Sequence, residues 1–491
     1  MELDLESCYR AVVSRDRRFD GRFVLAVRTT RVYCRPGCPA PLPKKENSRF
    51  YSCATAAEEA GFRPCRRCRP ETVAGTPVWS GTSATVSRAL RLIGDGTLDE
   101  VGVDGLATRL GVGARHLRRL FAEQLGASPL AIARTRRVHF ARRLLDDTSL
   151  PVTDIAYGSG FASIRTFNEA MAATFHRTPS ALRTARGRGG KDATLTLKLP
   201  FRPPLDWPAL VRFLSLRAIP GVERVDADRY ARTIVDEDEA GLLEAQPMRD
   251  GSFLLLRLPI FKSGNLIGLV ERASRLFDLE ADPIPIQRSL SEDALLAPLV
   301  KRRPGLRVPG AWDPFELLVR ALLGQQISVK GATTLAGRLV SRFGRPLAAG
   351  SPGLTHLFPS AEVLAEAGRA DLSAIGLTRA RVATLKILAS AVAAKDLILS
   401  TAATLEDFVA RLTAIPGIGP WTAHYVAMRA LKEPDAFPEG DLALRQAAAP
   451  GSPPLSLRAL ADRSEAWRPW RAYAAMHLWT SLTETGRKEI P

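Results

Sequence analysis

The chain has 491 residues, 46% of them hydrophobic, enough for three or four domains with sizeable cores. A net charge of +18, with a pI near 10.2, favours a polyanionic partner such as nucleic acid. The acidic first six residues lack a secretory pattern and no apolar run is long enough to span a bilayer, so neither an exported nor a membrane protein is expected.

The positive charge is concentrated at the front. Residues 1–190 hold 31 Lys+Arg against 18 Asp+Glu, an excess of 13 out of the chain's 18. All six cysteines lie before residue 69. Without a secretion signal they point to metal or redox chemistry and a cytoplasmic setting, not to a disulfide framework. Cys34 and Cys38 form one close pair, and Cys65 and Cys68 another. Two pairs across a longer loop suit a four-thiolate zinc site, because each pair supplies two corners of a tetrahedron. Cys8 and Cys53 have no such spacing and read as buried thiols. A plain structural zinc knuckle is the simpler reading of the four.

The words around these cysteines go further. Residues 29–38 (TTRVYCRPGC), 46–51 (ENSRFY) and 61–68 (GFRPCRRC) resemble the metal-binding domain of the Ada adaptive-response family over residues 1–78. The resemblance implies that Cys34 takes a methyl group from a DNA phosphotriester, once per molecule. It also implies that Arg63, Arg66, Arg67 and Arg69 contact the backbone.

Residues 80–186 read as two helix-turn-helix units. Residues 106–121 give helix, glycine turn (Gly111, Gly113) and helix; residues 155–161 and 164–168 repeat the arrangement. The repeat, its Phe…Pro endings and an arginine-rich helix over 134–143 resemble the AraC-type regulators. The second helices begin near Ala114 and Ala162. Arg115, His116 and Arg118, then Ser163, Arg165 and Asn168, are the candidate base readers, by the usual pairing of Arg with guanine and Asn with adenine. Residues 187–191 (GRGGK) read as a linker.

Residues 192–290 alternate or cluster apolar residues as strands over 193–199 and 252–258, with helices over 207–217 and 266–277. This α+β segment resembles the N-terminal domain of AlkA-type glycosylases, a support module.

Residues 291–491 are helical. Asp313 caps a helix with Pro314 in its first position. The helix leads to Gly324-Gln325-Gln326, which resembles the wedge loop of helix-hairpin-helix glycosylases, with a polar Gln326 at the plug. Farther on, residues 415–425 (IPGIGPWTAHY) put Gly417 and Gly419 between two helices, a close-approach turn ending at a helix N-terminus suited to phosphate. Asp441 follows, with no lysine or histidine within five residues. This string resembles the AlkA-type 3-methyladenine DNA glycosylases. The resemblance implies a catalytic Asp441 and a base pocket of Trp421, Tyr425 and Trp470. Trp421 stands where lyase relatives carry a lysine, so hydrolysis without strand cleavage is expected. No cysteine follows residue 68, which excludes an iron–sulfur cluster in this half and a second, cysteine-based methyl acceptor.

The expected architecture is multidomain and mainly α: a small α/β zinc domain, an AraC-type double helix-turn-helix, an α+β AlkA N-terminal-like domain and an all-α helix-hairpin-helix glycosylase domain. The expected function is threefold: methyl-phosphotriester sensor, transcription activator and glycosylase for alkylated purines (3-methyladenine, 7-methylguanine). The expected partners are one Zn2+, double-stranded DNA both alkylated and promoter, and RNA polymerase, on a monomeric chain with no membrane. The competing reading is a DNA-binding regulator whose glycosylase half is catalytically silent.

Overall fold

A computed structural model describes residues 4–72, 83–183, 194–249, 251, 253–261, 265–399 and 404–484. The linker at 187–191 lies outside these residues, as does the 78/80 boundary. The chain forms two compact units, residues 1–202 with 248–274 and 279–282, and residues 203–247 with 275–278 and 283–491.

The first unit begins with a four-stranded sheet in the order Ser48–Tyr51, Val24–Val27, Val32–Cys34, Arg63–Pro64. Its last pair is parallel, so the strand ending at Cys34 lies beside the one leading to Cys65. Helices Leu5–Val13 and Ala54–Glu59 cover small apolar clusters around Phe23 and Leu25, and around Tyr33 and Phe62.

The helical repeat follows. Helices Thr97–Arg109 and Ala114–Leu125 make the first unit of the repeat, and Val152–Gly158 and Ile164–Phe175 the second. In each second helix the core takes every fourth residue: Leu117, Phe121 and Leu125, then Phe167, Met171 and Phe175. Both helices end on a left-handed residue, Gly126 (φ 67°) and His176 (φ 53°). Ser128 and Thr178 then cap new helices that open with Pro129 and Pro179. The two repeats thus share core, stop and restart signals. Helix Pro129–Asp147 joins them.

This long helix also holds the zinc segment. Glu58 accepts hydrogen bonds from Tyr33 Oη (2.8 Å) and Thr135 Oγ1 (2.8 Å), and pairs with His139 Nε2 (2.8 Å). The Leu125 carbonyl accepts from Ser52 Oγ and Cys53 Sγ, and Cys53 and Ala56 belong to the core of the first repeat. Strands Thr194–Pro200 and Phe253–Pro259 pair antiparallel in this unit, with Leu195, Leu197 and Leu199 turned inward.

In the second unit, strands Glu223–Asp226, Arg229–Asp236 and Glu239–Pro247 form an antiparallel meander. A buried ionic network joins it to helix Pro314–Leu323. Glu223 pairs with Arg320 (2.8 Å), and Glu316 pairs with Arg320 (3.2 Å) and Arg232 (2.6 Å). The remainder is helical, apart from the two-stranded hairpin of Pro346–Ser351 and Leu354–His356.

Candidate functional site

Helices Leu405–Thr413 and Pro420–Arg429 flank the glycine hairpin. Gly417 has φ +89°, and a Cβ there would sit 2.2 Å from Thr384 Oγ1, which itself donates to the Pro416 carbonyl (2.9 Å). Only glycine fits that turn without displacing its neighbour. Gly419 differs: its φ is −96° and a Cβ there would meet nothing within 4 Å. Gly417→Ala is therefore expected to cost about 1–3 kcal/mol and to weaken DNA binding, whereas Gly419→Ala costs well under that. Thermal unfolding and equilibrium DNA binding of the two variants check this contrast.

The hairpin is clamped to the loop after helix Pro314–Leu323. Gln325 Nε2 donates to the Gly417 carbonyl (3.0 Å) and to Thr422 Oγ1 (3.1 Å), and the Gln325 carbonyl accepts from Arg381. The next residue, Gln326, is exposed at φ +56°. Its neighbours Gly324, Ile327 and Val329 line a cavity that Gln326 itself does not line.

That cavity is lined by Trp421, Tyr425, Trp479 and Asp441, with Phe213 and five arginines. Asp441 caps helix Leu442–Ala447 through Leu444 N–H (2.9 Å). Two indoles fix its carboxylate: Trp421 Nε1 donates to Oδ2 (2.9 Å) and Trp479 Nε1 to Oδ1 (3.2 Å). Burial pushes the Asp441 carboxyl up, and these donors oppose the shift without cancelling it. Arg445, four residues on, turns to the Leu455 carbonyl instead. The result is a carboxylate held in place by neutral donors, one arrangement able to stabilise developing positive charge.

Trp421 and Tyr425 stack at 5.2 Å and 8°, as residues one helical turn apart can. Trp470 requires a correction. It is buried edge-on against Tyr473 (5.9 Å) and does not line the cavity. The helix Arg471–Glu484 begins one residue later. Trp479, inside that helix, is the tryptophan of the two that lines the cavity. No local signal distinguishes these two tryptophans. Arg429, also unforeseen, is buried and donates to Tyr425 Oη (2.7 Å) and to the Pro309 and Gly310 carbonyls (2.9 Å each). Its guanidinium lies 5.4 Å from the Tyr425 ring centre, so the ring expected to meet a cationic base already faces a cation.

In the first unit, the sulfurs of Cys34, Cys38, Cys65 and Cys68 all lie within 4.8 Å of one another. Four sulfurs at that separation suit a tetrahedral Zn2+ with bonds of about 2.3 Å. Hydrogen bonding within the cluster pulls the Cys38 thiol down to about 7 and Cys65 lower still, and pushes Cys34 and Cys68 up, so the protons are shared unevenly among the four sulfurs. Cys34 is buried and Cys38 is half-buried. Arg66 and Arg67 are exposed between Cys65 and Cys68. Arg69 differs from that expectation: it is engaged with Glu71 and Asp146.

On the second helix of each repeat Arg115, His116, Arg118, Arg165 and Asn168 are all exposed. His116 is bonded to Arg119 (3.0 Å) and Arg165 pairs with Glu169 (3.0 Å). Ser163 caps its helix through Thr166 N–H, so its hydroxyl is committed to the backbone.

Comparison with known proteins places these sites in a family. Family models match residues 7–71 (metal binding domain of Ada), 106–185 (helix-turn-helix domain), 196–313 (AlkA N-terminal domain) and 319–449 (HhH-GPD superfamily base excision DNA repair protein). A probable bifunctional transcriptional activator/DNA repair enzyme AlkA of Mycobacterium tuberculosis is 44% identical over 487 residues, 98% of this chain and 97% of that one. The chain belongs to this bifunctional Ada/AlkA family. DNA-3-methyladenine glycosylase 2 of Escherichia coli is 34% identical over 281 residues, 57% of this chain and 95% of that protein. A 3-methyladenine DNA-glycosylase structure from Archaeoglobus fulgidus shares the fold, with TM-score 0.53 and 23% identity over 58% of this chain and 98% of that one. Trp479 lies beyond the 319–449 segment of this Ada/AlkA chain that the glycosylase family model matches.

Proposed function

We propose that the chain senses methylated DNA phosphates, activates transcription and hydrolyses the N-glycosidic bond of alkylated purines such as 3-methyladenine and 7-methylguanine. The observation that carries the enzyme is the Asp441 carboxylate, pinned by two indoles in a cavity beside the helix-hairpin-helix.

The base must leave the stack to reach that cavity. The hairpin amides at Gly417 and Gly419 hold the backbone phosphates, and Gln326 fills the vacated space. Trp421, Tyr425 and Trp479 bound the base. As C1′–N9 breaks, Asp441 stabilises the oxocarbenium-like sugar and takes the proton of the attacking water. Among the described residues no lysine lines the cavity, which fits hydrolysis without strand cleavage.

At the other end, Cys34, Cys38, Cys65 and Cys68 would hold a Zn2+, which when bound would keep the sulfurs as thiolates, the nucleophilic form. Cys34 Sγ attacks the methyl carbon of a phosphotriester; the S–C bond forms, the C–O bond breaks, and a phosphodiester leaves. Arg66 and Arg67 hold the neighbouring phosphates. Arg115, His116, Arg118, Arg165 and Asn168 read promoter bases. RNA polymerase is the partner activation calls for. The chain acts in the cytoplasm, where its DNA is, as a monomer.

Release of free 3-methyladenine from methylated duplex DNA by the wild-type chain tests the enzymatic reading. DNA binding without any release would favour a regulator with a silent glycosylase half.

A further inference from the structure

The short helix Ala54–Glu59 of the metal-binding segment belongs to two cores at once. Ala57 packs with Val24, Ala26, Tyr33 and Phe62 of its own sheet. Ala56 and the capping Cys53 are buried in the core of the first helical repeat, with Leu106, Leu117 and Phe121. Glu58 closes the gap between the sheet and helix Pro129–Asp147. Its side chain is 12% exposed and that of its partner His139 16%.

On the sheet side Glu58 takes the Tyr33 hydroxyl; on the helix side it takes Thr135 and His139. Burial alone would raise Glu58, but His139, Thr135 and Tyr33 outweigh it and hold the carboxyl below its ordinary 4.5. Tyr33 directly precedes Cys34. Neighbouring strand residues face opposite ways, so Cys34 joins the sulfur cluster while the Tyr33 ring enters the sheet's core. The Tyr33 carbonyl accepts from the Cys65 N–H (2.9 Å), so one residue is tied to both cysteine-bearing strands.

A second joint leaves the far side of the cluster. Arg69, directly after Cys68, pairs with Asp146 near the end of the same long helix. Asp146 also pairs with Arg142 (2.5 Å), which donates to the Leu182 carbonyl (2.9 Å) in helix Pro179–Leu182 of the second repeat. A third joint is the Leu125 carbonyl, at the end of the second helix of the first repeat, which takes Ser52 and Cys53. Undocking the metal-binding segment would strip Cys53 and Ala56 from an apolar core. It would also leave Glu58, Asp146 and the Leu125 carbonyl short of partners, each at the cost of an unsatisfied buried group.

We propose that the metal-binding segment and the two helical repeats are one cooperative body, in which metal occupancy of the four cysteines sets the stability of helix Pro129–Asp147 and of the second helix in each repeat. Where a cluster of cysteines closes a small segment, metal-binding free energy is folding free energy. Here Tyr33–Glu58 and Arg69–Asp146 carry it into the helical repeats, and coupling of this kind is reciprocal. An emptied site loosens the helices expected to read DNA, with no methyl transfer involved. The inference holds whichever cysteine accepts a methyl group.

The experiment uses the full chain, loaded with zinc or stripped by excess chelator under reducing conditions, with zinc content measured on both samples. Amide hydrogen exchange is read by mass on helix Pro129–Asp147, on Ala114–Leu125 and Ile164–Phe175, and on Pro420–Arg429 in the second compact unit. Stripping is expected to speed exchange in the first three by about tenfold or more, the scale of one charge-assisted hydrogen bond. Pro420–Arg429 stays as it was, and added zinc restores protection. Glu58→Gln removes the charge from the joint without touching a cysteine. Thr135→Val removes one hydroxyl from the helix side and carries the test if Glu58→Gln does not fold. Each variant is expected to keep one zinc per chain and to bring the stripped-to-loaded exchange ratio in helix Pro129–Asp147 down toward one. Unchanged exchange in that helix once the zinc has left would overturn the proposal. So would a wild-type ratio in the variants, or an equal loss of protection in Pro420–Arg429, which would mark general unfolding.

Discussion

Replacing Asp441 with asparagine is expected to lower base excision by about 10²–10³-fold or more while leaving DNA binding in place. The magnitude follows from removing one preorganised electrostatic group from a site shielded from water. The fold survives because asparagine also caps helices well, and its amide oxygen can keep the Leu444 N–H that Asp441 Oδ1 now accepts. What is lost is the charge, and one of two acceptors for the Trp421 and Trp479 indoles. Single-turnover excision of 3-methyladenine, beside equilibrium binding to the same duplex, separates the two effects. The pH profile adds a sign. The carboxylate is the working form, and burial holds this carboxyl above its ordinary 3.8. Activity is therefore full above the raised value and lost as pH falls through it, so the acid limb lies above the usual aspartate range. Undiminished excision by the asparagine variant would move the catalytic role to another residue.

The second large effect is at the other end of the chain. Cys34→Ala is expected to abolish methyl transfer from phosphotriester DNA, because the acceptor sulfur is gone. In the wild type, excess phosphotriester DNA should add one methyl group to the peptide carrying Cys34. The half-buried Cys38 gives the measurement its force: a methyl group found on Cys38 instead would reassign the nucleophile. Four thiolates around Zn2+ carry a net −2, which repels phosphate. Methylating one removes a negative charge, worth about 1–2 kcal/mol at about 10 Å from a phosphate with an effective dielectric near 20, before salt screening. Roughly tenfold tighter DNA binding after methylation is the expected consequence, measured at low salt.

How much of this was legible in sequence depended on whether the signal was local. The helical repeat was, because Leu117, Phe121 and Leu125 match Phe167, Met171 and Phe175 in spacing, and Ser128-Pro129 matches Thr178-Pro179. The zinc cluster was, because two close cysteine pairs constrain each other. The meander Glu223–Pro247 was not. Its two hairpin turns place Ala227 (φ 43°) and Glu237 (φ 49°) at left-handed positions that usually announce themselves with glycine or asparagine. Its strands are also rich in charge, since Glu223 and Arg232 are buried within an ionic network. Within the cavity, Trp421, Tyr425 and Asp441 were readable as one string. Trp479 and Arg320 were not, because each arrives from a helix remote in sequence. Trp470 was expected in the pocket from a resemblance, and Trp479, which lines the cavity, carries no local signal of its own.

The most direct test of the account is a single incubation of the wild-type chain with methylated duplex DNA carrying both alkylated bases and methyl phosphotriesters. Released bases are read by chromatography and the Cys34 peptide by mass. The account predicts free 3-methyladenine in many turnovers and one methyl group per chain on Cys34. No free base, with an unmodified Cys34 peptide, would contradict it.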